Sequence, residues 1–260
     1  MDKAPMRASS VLGPYFGFIP VNPLLVTKPR IIVSSFFSSM WKVFVVCAVV
    51  WFVLKQLFRK ALLPVPLARV WGRIHFFFWR LCLEVSYNFG HRQKPWKDVI
   101  ENRVWLGKTV LARHVPELRR LGITRVLNLQ DENPGPVEAF RAAGIEQLHV
   151  PVVDHFEPSV EQLHVAVDFL EKALHEDRRV YVHCQGGHGR SAAVVFAHLA
   201  LQEEQKERSL EQINRELNSK WRVRGGLHSQ PAVKEFVHTK KGHHHHHHHN
   251  RTQKQQNKDL

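Results

Sequence analysis

Cys184 and Arg190 stand with five residues between them in the run His183-Cys184-Gln185-Gly186-Gly187-His188-Gly189-Arg190-Ser191, and Asp154 lies thirty residues before the cysteine. A thiol, a guanidinium and three glycines this close together can hold a phosphate and attack its phosphorus. The thiolate is the nucleophile, not the thiol, and the run supplies means to favour it. A helix beginning near Arg190 would point its dipole and free N–H groups at Cys184. Gly186, Gly187 and Gly189 let the backbone curl so that successive N–H groups face inward, with Gln185 and His188 completing the loop. Arg190 offers a fork that fits two phosphate oxygens. Ser191 can donate a hydrogen bond to the sulfur and ease its departure from a phosphocysteine. His183 is expected to bond backbone carbonyls and fix the loop. His188 either helps to bind an anionic substrate or faces solvent.

A nucleophile that attacks a phosphomonoester needs an acid for the leaving oxygen. Asp154 sits in Val153-Asp154-His155-Phe156-Glu157-Pro158, between a predicted strand and a predicted helix. If that strand neighbours the cysteine strand, Asp154 faces the phosphate from the opposite side. Glu157 is the reserve. Asp168 falls inside a helix, and Asp177 precedes the cysteine strand at its far end. This chemistry calls for no metal and no cofactor. The seven histidines His243–His249 form a polar tract outside the site.

These residues need a scaffold, and from about Trp96 the hydrophobic pattern alternates strands with helices. Strands are predicted over 103–107, 123–129, 145–153 and 179–183. Helices are predicted over 114–121, 136–143, 159–175, 191–205, 209–217 and 231–238, and Ser159 with Gln162 has the form of a capping box. The fold class is therefore α/β: a central, mostly parallel sheet flanked by helices. The cysteine loop falls beyond the carboxyl end of a strand, where such sheets bind ligands. The predicted organisation is a variable, targeting-like segment 1–39, membrane and interfacial helices over 40–90, a catalytic domain over 95–240 and a disordered, His-rich tail 241–260.

Charge separates the first third from the rest. Residues 1–83 hold eleven Lys and Arg but one acid, Asp2, among many apolar residues. Basic plus apolar favours an anionic membrane surface over nucleic acid. Met40–Phe58 is long enough as a helix to cross a bilayer, although a buried core helix has the same composition. In the stretch 61–87, Arg69, Arg73 and Arg80 share one helical face, as in a helix lying in an interface or returning as half a hairpin. Membrane contact is thus assigned to residues 40–87. Basic residues flank both ends of the first helix, so charge leaves its orientation open. Cys47, Cys82 and Cys184 form no disulfide framework, which suits a reducing compartment for the catalytic domain.

At HCQGGHGRS the chain resembles the cysteine-dependent protein tyrosine and dual-specificity phosphatase superfamily, and the Asp-to-Cys spacing is similar to that of the compact dual-specificity branch. Further segments narrow the likeness: Pro95-Trp96-Lys97-Asp98 through Val104-Trp105-Leu106-Gly107, VPVVDHFEPS around Asp154, VYVHC entering the loop, and Arg224 with Leu227-His228-Ser229-Gln230. Over about 95–240 these resemble the mitochondrial lipid phosphatases that act on phosphatidylglycerophosphate. The resemblance implies a phosphocysteine intermediate, a phospholipid or phosphoprotein substrate, and a place at the mitochondrial inner membrane or another intracellular membrane. The pattern departs in two places. Gln185 stands where that branch usually carries a Lys, and His188 where it often carries a basic residue, which argues against a highly charged headgroup.

Overall fold

The computed structural model describes residues 29–88, 95–202 and 208–240. The expected targeting-like segment before residue 29 and the tail 241–260 lie outside the described residues. The chain divides into two compact units between Val53 and Leu54.

Helix α1 (Pro29–Arg59) begins inside the segment expected to be irregular, with a proline at its first position, where a missing N–H is harmless. Its stretch Trp41–Arg59 has a mean hydropathy of 1.8 and meets the length and composition of a membrane span. The side chains from Trp41 to Val53 are exposed. A turn through Ala61, whose φ is +53°, leads into α2 (Val65–Asn88). Two sets of apolar residues share α2. Ala68 and Phe76 face the protein and are buried, whereas Leu67, Val70, Ile74, Phe77, Phe78 and Leu81 are exposed. The Arg stripe expected to lie along a membrane surface is therefore split, because Arg69 turns to Asp131.

Five strands form one sheet: β1 (Trp96–Ile100), β2 (Val104–Gly107), β3 (Ile123–Gln130), β4 (Glu146–Val152) and β5 (Arg179–His183). Their spatial order is β1-β2-β5-β3-β4, with only the β1–β2 pair antiparallel. The parallel core matches the expected fold class, whereas the edge strand β1 was not anticipated. It is short, carries Lys97 and Asp98, and joins β2 through Glu101 and Asn102, both at positive φ. Alternation along the strands builds two cores. Val180 and Val182 of β5 face α5 (Val160–His175), α6 (Arg190–Leu201) and α7 (Leu210–Lys220), while Tyr181 faces α3 (Val115–Arg120) and α4 (Val137–Ala142). An eighth helix, α8, covers residues 231–240. The capping box at Ser159 is present in full. Its hydroxyl accepts the Gln162 N–H at 3.2 Å, and the Gln162 amide oxygen accepts the Ser159 N–H at 2.9 Å. Helix α6 ends at Leu201, short of the expected end: Gln202 is already extended, and residues 203–205 lie outside the described ones.

Register is what brings the site together. His183 at the end of β5 pairs with Gly107 of β2 on one side and with Asn128 of β3 on the other, and Gln130 pairs with Val152 of β4. The loops leaving four strands therefore emerge at one edge of the sheet, at the carboxyl ends of the parallel strands.

Candidate active site

Cys184 follows β5 directly, and its side chain is buried. The sulfur accepts hydrogen bonds from the Gly187 N–H and the Ser191 hydroxyl, each at 3.3 Å. Gly189 is the N-cap of α6 and makes no side-chain cap, which leaves the first N–H groups of the helix to an anion. Gly187 has φ +77°, and a Cβ there would lie 2.6 Å from the Gly107 carbonyl oxygen, so only glycine fits. The loop is braced from outside. Thr109, after β2, donates its N–H to the Gln185 carbonyl at 3.1 Å, and the Trp221 indole donates to the Gly187 carbonyl at 3.0 Å.

Arg190 is 2% exposed, the largest fully buried side chain among the described residues. Its two terminal nitrogens donate to both carboxylate oxygens of Glu132, at 2.7 and 2.8 Å. One of them also donates to the Val152 carbonyl at 2.8 Å, and the other lies 2.8 Å from Asp154 Oδ1. Burial opposes the guanidinium charge. The hydrogen bonds it donates to Glu132, with the charges of Asp154 and Cys184, outweigh burial and hold the pKa above its ordinary value. The fork expected to face phosphate is thus largely taken by Glu132. Asp154 is the less buried of the two carboxylate partners, 17% exposed against 3% for Glu132.

The Asp154 loop is held on two sides. Its His155 has φ +67° and donates its N–H to Asp154 Oδ1 at 3.0 Å. Both terminal nitrogens of Arg224 reach the His155 carbonyl at 3.4 Å, and the Arg224 N–H donates to the His188 carbonyl at 2.8 Å, so one residue ties the Asp154 loop to the cysteine loop. Burial pushes the His155 ring pKa down; Asp154 beside it opposes the shift, and Arg224 and Arg190 add to it.

Every proposed loop residue and Asp154 therefore meet in one place. Three expectations are refined. The fully buried His183 ring stacks on Tyr181 at 5.3 Å and keeps only a weak main-chain contact, at Cys184. Burial lowers its pKa to about 3, against a smaller opposing influence of the Cys184 main chain. His188 stacks on Trp221 at 6.1 Å and bonds the Arg222 carbonyl, which turns it to the rim of the loop. Glu157 is exposed and is not among the groups paired with Arg190. Sequence reasoning missed Glu132, Thr109 and Trp221. For Glu132 a signal existed: a carboxylate two residues after the end of β3, at the ligand-binding edge of a parallel sheet.

Comparison with known proteins agrees with this geometry. Residues 104–247 match the family described as Swiss Army Knife protein, DSP-PTPase phosphatase domain. The chain is 33% identical over 131 residues to a phosphatidylglycerophosphate phosphatase, PTPMT2, of Arabidopsis thaliana, covering 49% of this chain and 57% of that one. It is 39% identical over 108 residues to the human dual specificity protein phosphatase 26, covering 40% and 51%. The chain spans about half the length of these curated relatives. A crystal structure of PTPMT1 shares the fold, with a TM-score of 0.50, 24% identity, and 57% of this chain and 97% of that one covered.

Proposed function

We propose that this chain, which belongs to the DSP-PTPase phosphatase family, hydrolyses a phosphomonoester of a membrane phospholipid, phosphatidylglycerophosphate by preference, through a phosphocysteine intermediate. The observation that carries the reading is the convergence of the Cys184 sulfur, the Arg190 guanidinium and the Asp154 carboxylate at one end of the sheet. Cys184 attacks phosphorus, and the loop N–H groups with Arg190 stabilise the charge on the equatorial oxygens. Asp154, released from Arg190 by the incoming phosphate and carrying a proton, gives that proton to the leaving oxygen and becomes a carboxylate. The carboxylate then takes a proton from the water that opens the phosphocysteine, while Ser191 stabilises the departing sulfur.

The lipid assignment draws on two supports. PTPMT2 of Arabidopsis thaliana carries phosphatidylglycerophosphate phosphatase in its name. The apolar span Trp41–Arg59, with the exposed apolar side of α2, would hold the site at a bilayer. The mitochondrial inner membrane or another intracellular membrane is the proposed location, with the catalytic domain in a reducing compartment. A second reading, a membrane-tethered protein phosphatase, is favoured by the 39% identity to dual specificity protein phosphatase 26 and by Gln185 and His188, which leave the loop less basic than a polyanionic headgroup needs.

The test is turnover of phosphatidylglycerophosphate in vesicles against phosphotyrosine and phosphothreonine peptides, with Cys184→Ser as the control. Lipid turnover well above peptide turnover is expected. Fast peptide turnover with none on lipid would transfer the assignment to the second reading.

A further inference from the structure

The end of α1 and the first half of α2 touch the same two loops that supply carboxylates to Arg190. Phe58 is 2% exposed and shares a buried cluster with Ala68 and Val153, with Leu63, Trp71 and Phe156 packed around it. Val153 and Phe156 bracket Asp154 and His155. The Phe58 ring meets the His155 ring edge to face, centroids 4.9 Å apart at 86°. His155 needs this support, since a non-glycine residue at φ +67° is held in place only by its surroundings. On the other loop, Arg69 donates its Nε–H to both Asp131 oxygens, at 3.0 and 3.1 Å. The Asp131 N–H bonds the Val152 carbonyl at 3.3 Å, the carbonyl that also accepts from Arg190, and the next residue is Glu132. Arg69 is 47% exposed, and an ion pair that open contributes little stability. What it does fix is the placement of the Asp131-Glu132 segment.

We propose that Phe58 and Arg69 are positioning residues for the reaction: through them the end of α1 and the start of α2 hold the Asp154 loop and the Glu132 loop in register around Arg190. The helices then do more than tether the site, because the geometry of the acid depends on their docking. The proposal rests on the reading of Asp154 as the acid. Neither residue touches substrate, and both act through the loops they hold.

A group that positions a general acid matters in proportion to how poor the leaving group is. The experiment compares the full chain in detergent micelles with Phe58→Leu, Phe58→Ala, Arg69→Ala and the double swap Arg69→Asp with Asp131→Arg. Each is assayed on an activated aryl phosphate and on an unactivated alkyl phosphate, with Asp154→Ala alongside. Phe58→Ala and Arg69→Ala are expected to lower kcat on the alkyl phosphate by about 10-fold or more, the loss typical of small displacements in an active site. On the aryl phosphate the Phe58→Ala fall should stay within about 2-fold, whereas Arg69→Ala, which acts through the Glu132 loop and Arg190, should lose a comparable factor on both substrates. Phe58→Leu should fall between Phe58→Ala and the parent, and the double swap should recover most of the Arg69→Ala loss. Equal losses on both substrates for Phe58→Ala, or an Arg69→Ala loss that the double swap does not recover, would mean general destabilisation and overturn the proposal, as would no loss at all. If Asp154→Ala is selective and Phe58→Ala is not, this proposal fails while the acid assignment stands. If Asp154→Ala is itself unselective, the acid assignment fails and takes the proposal with it.

Discussion

Arg190 is surrounded by more negative charge than a phosphate-binding arginine needs for itself. Glu132 takes both terminal nitrogens in a buried pair, and Asp154 sits on one of them. Such a pair is costly to assemble and more costly to break on one side only. Its use here is geometric, since Glu132 sets the plane of the fork and leaves Asp154 as the exchangeable partner. Replacing Glu132 by Gln keeps the shape but removes the charge that orients the fork. The expected result is a 10- to 100-fold lower kcat/KM, about the loss that follows a small misplacement. The measurement is steady-state kinetics on an aryl phosphate, with circular dichroism to verify the fold; an unchanged rate would show that Arg190 orients itself. At this scale the sequence was informative because one short run carries most of the chemistry. Glu132 escaped because its partner is distant in the chain and nothing in the local spacing links the two.

The elements explain why the loop holds its form. β5 is central, so Cys184 leaves a strand paired on both sides, and β2 presses its Gly107 against Gly187. Periodicity found the parallel strands and the long helices, because Leu163, Val167 and Leu170 repeat at helical spacing and are all buried. It missed β1, whose charged residues mask a strand pattern only five residues long. It also left the partners of α2 open, because an interfacial helix and a docked helix share one composition. His183 at the end of β5 makes a prediction about stability. Its folded pKa of about 3 lies below the usual 6.5, so the folded state keeps the ring neutral while the unfolded chain takes up a proton as pH falls. The neutral ring's contribution is therefore fully present above about pH 6.5 and is lost toward pH 3, at up to about 1.4 kcal/mol per pH unit. Urea unfolding of the protein and of His183→Asn should show the parent's advantage shrinking between pH 7 and pH 4.5. A constant difference across that range would contradict the assignment.

The whole molecule joins a membrane-like helical segment to a phosphatase domain, and the two are not separate in the fold from Leu54 onward, because α2 belongs to the same compact unit as the sheet. The excess of basic over acidic residues in 1–83 was readable from the sequence; that the end of α1 would reach the Asp154 loop was not, since Phe58 and His155 stand nearly a hundred positions apart. The central claim is covalent, and it is tested by trapping the intermediate. The full chain is mixed with a radiolabelled phosphomonoester, quenched in acid during turnover and mapped by peptide. The account predicts label on the peptide containing Cys184 and none in Cys184→Ser. Turnover without label on that peptide, or turnover that survives in Cys184→Ser, would contradict it.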